Sequence, residues 1–154
     1  MPNLVRDINI TFIWDWDLIR QTPNNSGIWM DSRFTINSPL KETDIWIVYE
    51  DVGEKTTMIL PRSNVILMTA EPTMIKGYPQ KFIDQFSMIC TTRSDIKHHN
   101  INYMSTGLPW FTGREQMSDG HFKFLSNYDS IKINNTKKQK LVSIISSNKS
   151  HTEG

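Results

Sequence analysis

The chain has 154 residues, 38% of them hydrophobic and 10% aromatic, which is enough to bury one ordinary core and excludes a disordered protein. Seventeen Lys and Arg against sixteen Asp and Glu give a net charge of +1, so no global field argues for nucleic acid or an anionic membrane surface. The single cysteine, Cys90 in the apolar run SMICTT, excludes a disulfide framework and a cysteine zinc site and reads as a buried, inert thiol in a reducing compartment.

The amino terminus, MPNLVRDINITFIW, is too short and too interrupted by Arg6, Asp7 and Asn9 for a signal peptide or a membrane span; a cytoplasmic location is the expectation. Its apolar part, residues 8–14, predicts a first strand. In PNNSGIWMDSRF, Asn24, Asn25 or Ser26 can cap a helix ahead of Ile28 and Trp29, so a helix is expected there. Residues 44–50 and 64–71 read as the next strands. TMIKGYPQKFIDQFS then places Pro79 where a first helical turn tolerates it, with Phe82, Ile83 and Phe86 on one face, the pattern of a crossover helix. A strand over 87–92 and a short one in INYMS follow. The order β, α, β, β, α, β argues for an α/β three-layer domain with a mainly parallel sheet. SNYDSIKINNTKKQK is polar and lacks either periodicity, the signature of a linker over residues 126–139 after a domain of residues 1–125. Residues 140–154 then open with an apolar run, KLVSIISS, and read as the start of a second, truncated domain.

Few residue groups carry chemistry. Val65 to Met68 is fully apolar, as in a strand covered on both faces, and the chain then delivers Glu71 followed by Pro72. In parallel sheets the carboxyl end of a strand borders the ligand crevice, and Pro72 biases Glu71 toward an extended backbone. WDWD, residues 14–17, closes the first strand; aromatic faces suit sugar C–H faces and carboxylates accept from vicinal hydroxyls, which selects Trp16 and Asp17 beside the alternative of core tryptophans. LPWFTGR places Trp110 and Arg114 in a loop at the same edge. Glu50 and Asp51 precede VGEK, an exposed turn, and read as solvated charges. His98 and His99, being adjacent, diverge on a strand or a helix and make a poor metal pair. Trp16, Asp17, Glu71 and Trp110 are therefore expected to converge on one cleft.

The segments INITFIWDWD, TDIWIVYEDV, NVILMTAEPTMIKGYPQKFIDQFSMICTT, GLPWF, YDSI and KKQKLVSIISSNKSHTEG together resemble the amino-terminal half of the α-1,3-fucosyltransferases, glycosyltransferase family 10, over nearly the whole chain. The most specific pieces are the strand ending in Thr-Ala-Glu-Pro and the Ser-Ser-Asn-Lys segment. The resemblance implies a two-domain GT-B enzyme whose Rossmann-like first domain recognises a glycan acceptor and whose second domain holds a GDP-sugar donor, GDP-fucose, with no other cofactor and no metal. It implies that Glu71 is the general base; the residues' own chemistry and placement put Trp16, Asp17, Trp110 and Arg114 on the acceptor side. The implied setting is bacterial glycan or lipopolysaccharide synthesis in the cytoplasm, peripheral to the inner membrane. Ala70 stands where relatives often carry Gly, which restricts the backbone and leaves the acid in place. Residues 1–154 alone are expected to be inactive and not to bind GDP-fucose. A non-catalytic carbohydrate-binding module and a flavodoxin-like interaction domain are the alternatives.

Overall fold

A computed structural model describes residues 5–14, 16–39, 41–105, 107, 110–133 and 142. Its centre is a sheet of strands β1 (Arg6–Thr11), β2 (Ile28–Trp29), β3 (Ser32–Ile36), β4 (Ile45–Tyr49), β5 (Val65–Met68), β6 (Met88–Thr91) and β7 (Ile101–Tyr103). They lie in the order β2-β3-β1-β4-β5-β6-β7, and every pairing is parallel except β2 with β3. The mainly parallel α/β sheet is thus as expected. Helices are few: α1 (Gln80–Ile83) and α2 (Tyr128–Ile133), with 3₁₀ turns at Ile19–Gln21, Pro23–Asn25 and Arg62–Asn64. A separate antiparallel hairpin joins β8 (Arg114–Gln116) to β9 (Phe122–Phe124). Among the described residues, no helix is long and apolar enough to cross a membrane.

Alternation in the strands divides the sheet into two unlike faces. One carries Val48, Leu67 and Ile89, packed against Ile83, Phe86 and Ile96, and this is the main core. Each such side chain contributes about 1.5–3 kcal/mol on burial. Pro79 opens α1 with the fixed φ of −58° that a helix start requires, and Phe82 and Phe86 close the core at 5.0 Å between ring centroids. The opposite face carries Ile10, Ile36, Ile47 and Met68, which remain half-buried.

Two sequence expectations change. The helix expected around Ile28 and Trp29 is instead a 3₁₀ turn followed by the β2–β3 pair. Positive φ at Asn24, Asn25, Gly27 and Met30 breaks any helical run, and Phe34 and Ile36 alternate as strand residues do. The first strand ends at Thr11, short of Trp14, because the Phe12 N–H leaves the ladder for the Asn37 side-chain oxygen at 2.9 Å. Within the segment read as a linker, residues 128–133 form α2, whose Asp129 accepts the Asn24 N–H at 2.7 Å and whose Tyr128 meets Trp29 edge-on at 5.1 Å. The apolar run at 140–147 lies outside the described residues, apart from Val142.

Candidate active site

Among the parallel strands, β3 lies on one side of β1 and β4 on the other, so the chain reverses its direction of travel across the sheet between β1 and β4. At such a switch point the loops leaving adjacent strands diverge and open a crevice at the carboxyl edge. The loop after β1 supplies Trp16, the end of β4 supplies Tyr49 and Glu50, and the loop after β5 supplies Glu71. A cavity of about 450 Å³ opens there along the half-buried sheet face. Trp16, Trp29 and Tyr49 wall it, and Ile10, Ile47 and Met68 form much of its floor.

Glu50 corrects the sequence reading most sharply. Far from being solvated, it is 1% exposed. Its φ of 65° turns the chain sharply at the end of β4 and leaves its carboxylate against the end of β5. One oxygen accepts the N–H groups of Ala70 and of Glu71, the latter at 2.7 Å, and the other accepts the Tyr78 hydroxyl. A buried carboxylate persists only with such donors, because an unpaired charge there costs several kcal/mol. The exposed turn expected after it is present at Gly53 to Thr57. Asp51 binds the Val52 and Gly53 N–H groups at 2.7 and 3.2 Å and Lys76 at 3.3 Å. Burial pushes its carboxyl up, but those N–H groups and the ammonium outweigh it and hold the pKa below the usual value.

Arg93, after β6, holds the other side of the Glu71 loop. Its guanidinium donates to the Lys76 carbonyl at 2.6 Å and to the Glu71 carbonyl at 3.4 Å, while a fork to Asp95 at 3.0 and 2.7 Å fixes its plane. The fork holds the Asp95 carboxyl at about 2. Glu71 is therefore gripped at its N–H by Glu50 and at its carbonyl by Arg93. Its carboxylate, by contrast, has no hydrogen bond or ion pair among the described residues. Lys76, the nearest candidate partner in sequence, is taken by Asp51, and its N–H and that of Ile75 are taken by the Pro72 carbonyl at 3.1 and 2.9 Å. Among the described residues Glu71 is neither a cap nor an ion-pair member. Its charge is felt at Tyr49, whose phenol is pushed up to about 12 by burial first and then by Glu50 and Glu71.

The remaining sequence candidates divide. Trp16 lines the crevice, meeting Tyr49 edge-on at 5.7 Å and stacking on Trp14 at 4.9 Å. Asp17 turns to the backbone, its carboxylate accepting the Arg20 N–H at 3.3 Å. Trp110 is not among the lining residues; its backbone N–H donates to the side-chain oxygen of Gln21, a wall residue, at 2.8 Å. Arg114 does not reach the crevice; its guanidinium stacks on Phe122 at 3.4 Å and Phe111 at 5.0 Å. His98 is a loop histidine bonded to the Asn100 and Phe86 carbonyls at 2.9 and 3.1 Å, and Cys90 is buried. Sequence reasoning missed Glu50, Tyr49 and Arg93. Only the apolar run leading directly into Glu50 hinted at its burial.

Fold and site together define an α/β protein with an aromatic crevice and, at the carboxyl edge of a mainly parallel sheet, a carboxylate unpaired among the described residues. No protein-family model, curated protein or solved structure matches the chain.

Proposed function

We propose that this chain is the acceptor-binding domain of an inverting glycosyltransferase resembling the α-1,3-fucosyltransferases, passing fucose from GDP-fucose to a glycan hydroxyl. The observation that carries this reading is Glu71: a carboxylate without a partner among the described residues, on a backbone clamped from both sides, close to a crevice walled by Trp16 and Tyr49. A general base needs a free lone pair and a fixed position within reach of the hydroxyl it deprotonates. In the proposed reaction Glu71 takes the proton of the acceptor hydroxyl as its oxygen attacks the anomeric carbon of the donor, from the face opposite the departing GDP. The aromatic walls stack on the acceptor. Donor binding falls to a second, GDP-sugar-holding domain of GT-B type, so residues 1–154 alone are expected not to transfer sugar.

The test is a transfer assay on the protein together with its donor-binding domain, using GDP-fucose and oligosaccharide acceptors and reading the anomeric configuration of the product by NMR. Transfer with inversion is the expected result. Glycan binding without any transfer, indifferent to nucleotide, would make the chain a carbohydrate-binding module instead.

A further inference from the structure

The crevice is chemically one-sided. Its floor and most of its walls are Ile10, Phe34, Ile36, Ile47, Met68 and Trp29, whereas a bare oligosaccharide would need hydrogen-bonding partners around its hydroxyls. Of the polar groups present, Ser105 is exposed, the Thr22 hydroxyl is already committed to the Ile19 carbonyl at 2.7 Å and the Gly27 N–H at 2.9 Å, and the Gln21 oxygen to the Trp110 backbone N–H. Tyr49 is different. It is 4% exposed, its ring lines the crevice against Trp16, and its buried hydroxyl has no hydrogen-bond partner among the described residues. A buried O–H left unpaired is a standing penalty that an incoming acceptor oxygen removes.

We infer that the crevice takes the hydrophobic aglycone of a glycolipid acceptor, with the Tyr49 hydroxyl donating to the oxygen that joins aglycone and sugar. This rests on the glycosyltransferase reading and names the substrate class of that site. The aglycone lies along Ile10, Ile36, Ile47 and Met68, and Trp16 shifts from its place over Tyr49 to stack on the first sugar. The sugar then leaves the crevice at the carboxyl edge, where Glu71 stands. A cavity of about 450 Å³ accommodates an alkyl chain of eight or so carbons with one linking oxygen, within the usual range of small-ligand sites.

The experiment compares n-octyl with methyl β-glucopyranoside, below the micelle concentration, binding to the 154-residue chain, by calorimetry and by tryptophan fluorescence. The octyl compound should bind at least about tenfold more tightly, since even partial burial of seven further methylenes suffices for that. Tyr49→Phe deletes only an unpartnered hydroxyl, should fold at least as well, and should weaken octyl glucoside by about five- to tenfold. Trp29→Ala, at the exposed rim, should weaken it independently and with the fold retained. Equal affinity for the two glucosides, or octyl binding untouched by both substitutions, would overturn the inference. Neither result touches the transferase reading, which fails separately if glycan transfer is absent. An octyl preference without transfer would leave a glycolipid-binding crevice and no enzyme.

Discussion

Glu50 and Glu71 are acids at the ends of neighbouring strands, and their surroundings give them opposite work. Glu50 is a buried structural acceptor: remove its carboxylate and the N–H groups of Ala70 and Glu71 and the Tyr78 hydroxyl all lose their partner at once. Glu50→Ala should therefore cost about 3 kcal/mol or more in chemical denaturation, because each stranded buried donor costs about 1–3 kcal/mol. Unchanged stability would show that Glu50 does not hold the loop. The tyrosines give a second prediction with a definite sign. Burial and then Glu50 and Glu71 push Tyr49 up to about 12, and burial and then Glu50 raise Tyr78, Arg93 acting the other way on Tyr78. An unfolded tyrosine ionises near pH 10, so the unfolded chain loses these protons first. Stability is intact below about pH 10 and falls as pH rises from about 10 to 12. Thermal denaturation across that range should show the loss, and Tyr49→Phe should reduce it. A flat profile would contradict the burial of both phenols.

At the scale of elements, apolar runs located β1, β4, β5, β6 and β7, because strands buried in a parallel sheet need unbroken hydrophobicity that loops do not carry. Pro79 and the Phe82, Ile83 and Phe86 face located α1 for the same physical reason. What escaped was decided by backbone turns and by distant partners. Residues 23–36 contain helix-like caps, yet left-handed backbone at Asn24, Asn25 and Met30 decides the outcome, and Asn carries that conformation without announcing it. Glu50 looked solvated because its neighbours are, and its partners lie about twenty residues onward in the loop after β5. The β8–β9 hairpin was missed although Asp119-Gly120, a hairpin-turn pair, sits at its tip with Gly120 at φ 85°. It is tied to the sheet by Arg20, 4% exposed, which donates to the Ser126 carbonyl at 3.0 Å and to the Trp110 carbonyl and lies 3.9 Å over the Phe124 ring. Arg20→Ala should cost about 2–4 kcal/mol, and amides from Arg114 to Phe124 should lose their protection from hydrogen exchange while β5 and β6 keep theirs. Gly113 reports on the same junction. At φ 71° it leaves no room for a side chain, since an added Cβ would sit 2.5 Å from the Ser126 hydroxyl and 2.9 Å from its backbone nitrogen. Gly113→Ala should therefore destabilise by about 1–3 kcal/mol, combining left-handed strain with the clash. A neutral substitution would mean that the hairpin shifts freely on the sheet.

Across the whole molecule, the parallel register brings the ends of β1, β4 and β5 to one edge, where the crevice opens between its aromatic walls; Glu71 is not one of its lining residues and stands in the loop after β5, three residues beyond the lining Met68. The core behind it, built on Val48, Leu67 and Ile89, makes the platform rigid, and the Glu50 and Arg93 contacts extend that rigidity to the backbone of Glu71. In the proposed reaction such a fixed base would contribute about 10²- to 10⁴-fold. On the glycosyltransferase reading, the most direct measurement is steady-state sugar transfer by Glu71→Gln in the presence of the proposed donor-binding domain, alongside its thermal stability and its affinity for the GDP-sugar. The amide keeps the shape and loses only the capacity to accept the proton, so kcat should fall by about 10²- to 10⁴-fold while stability and donor affinity stay near those of the unsubstituted protein. Near-normal turnover in Glu71→Gln would remove Glu71 from the reaction and contradict the account.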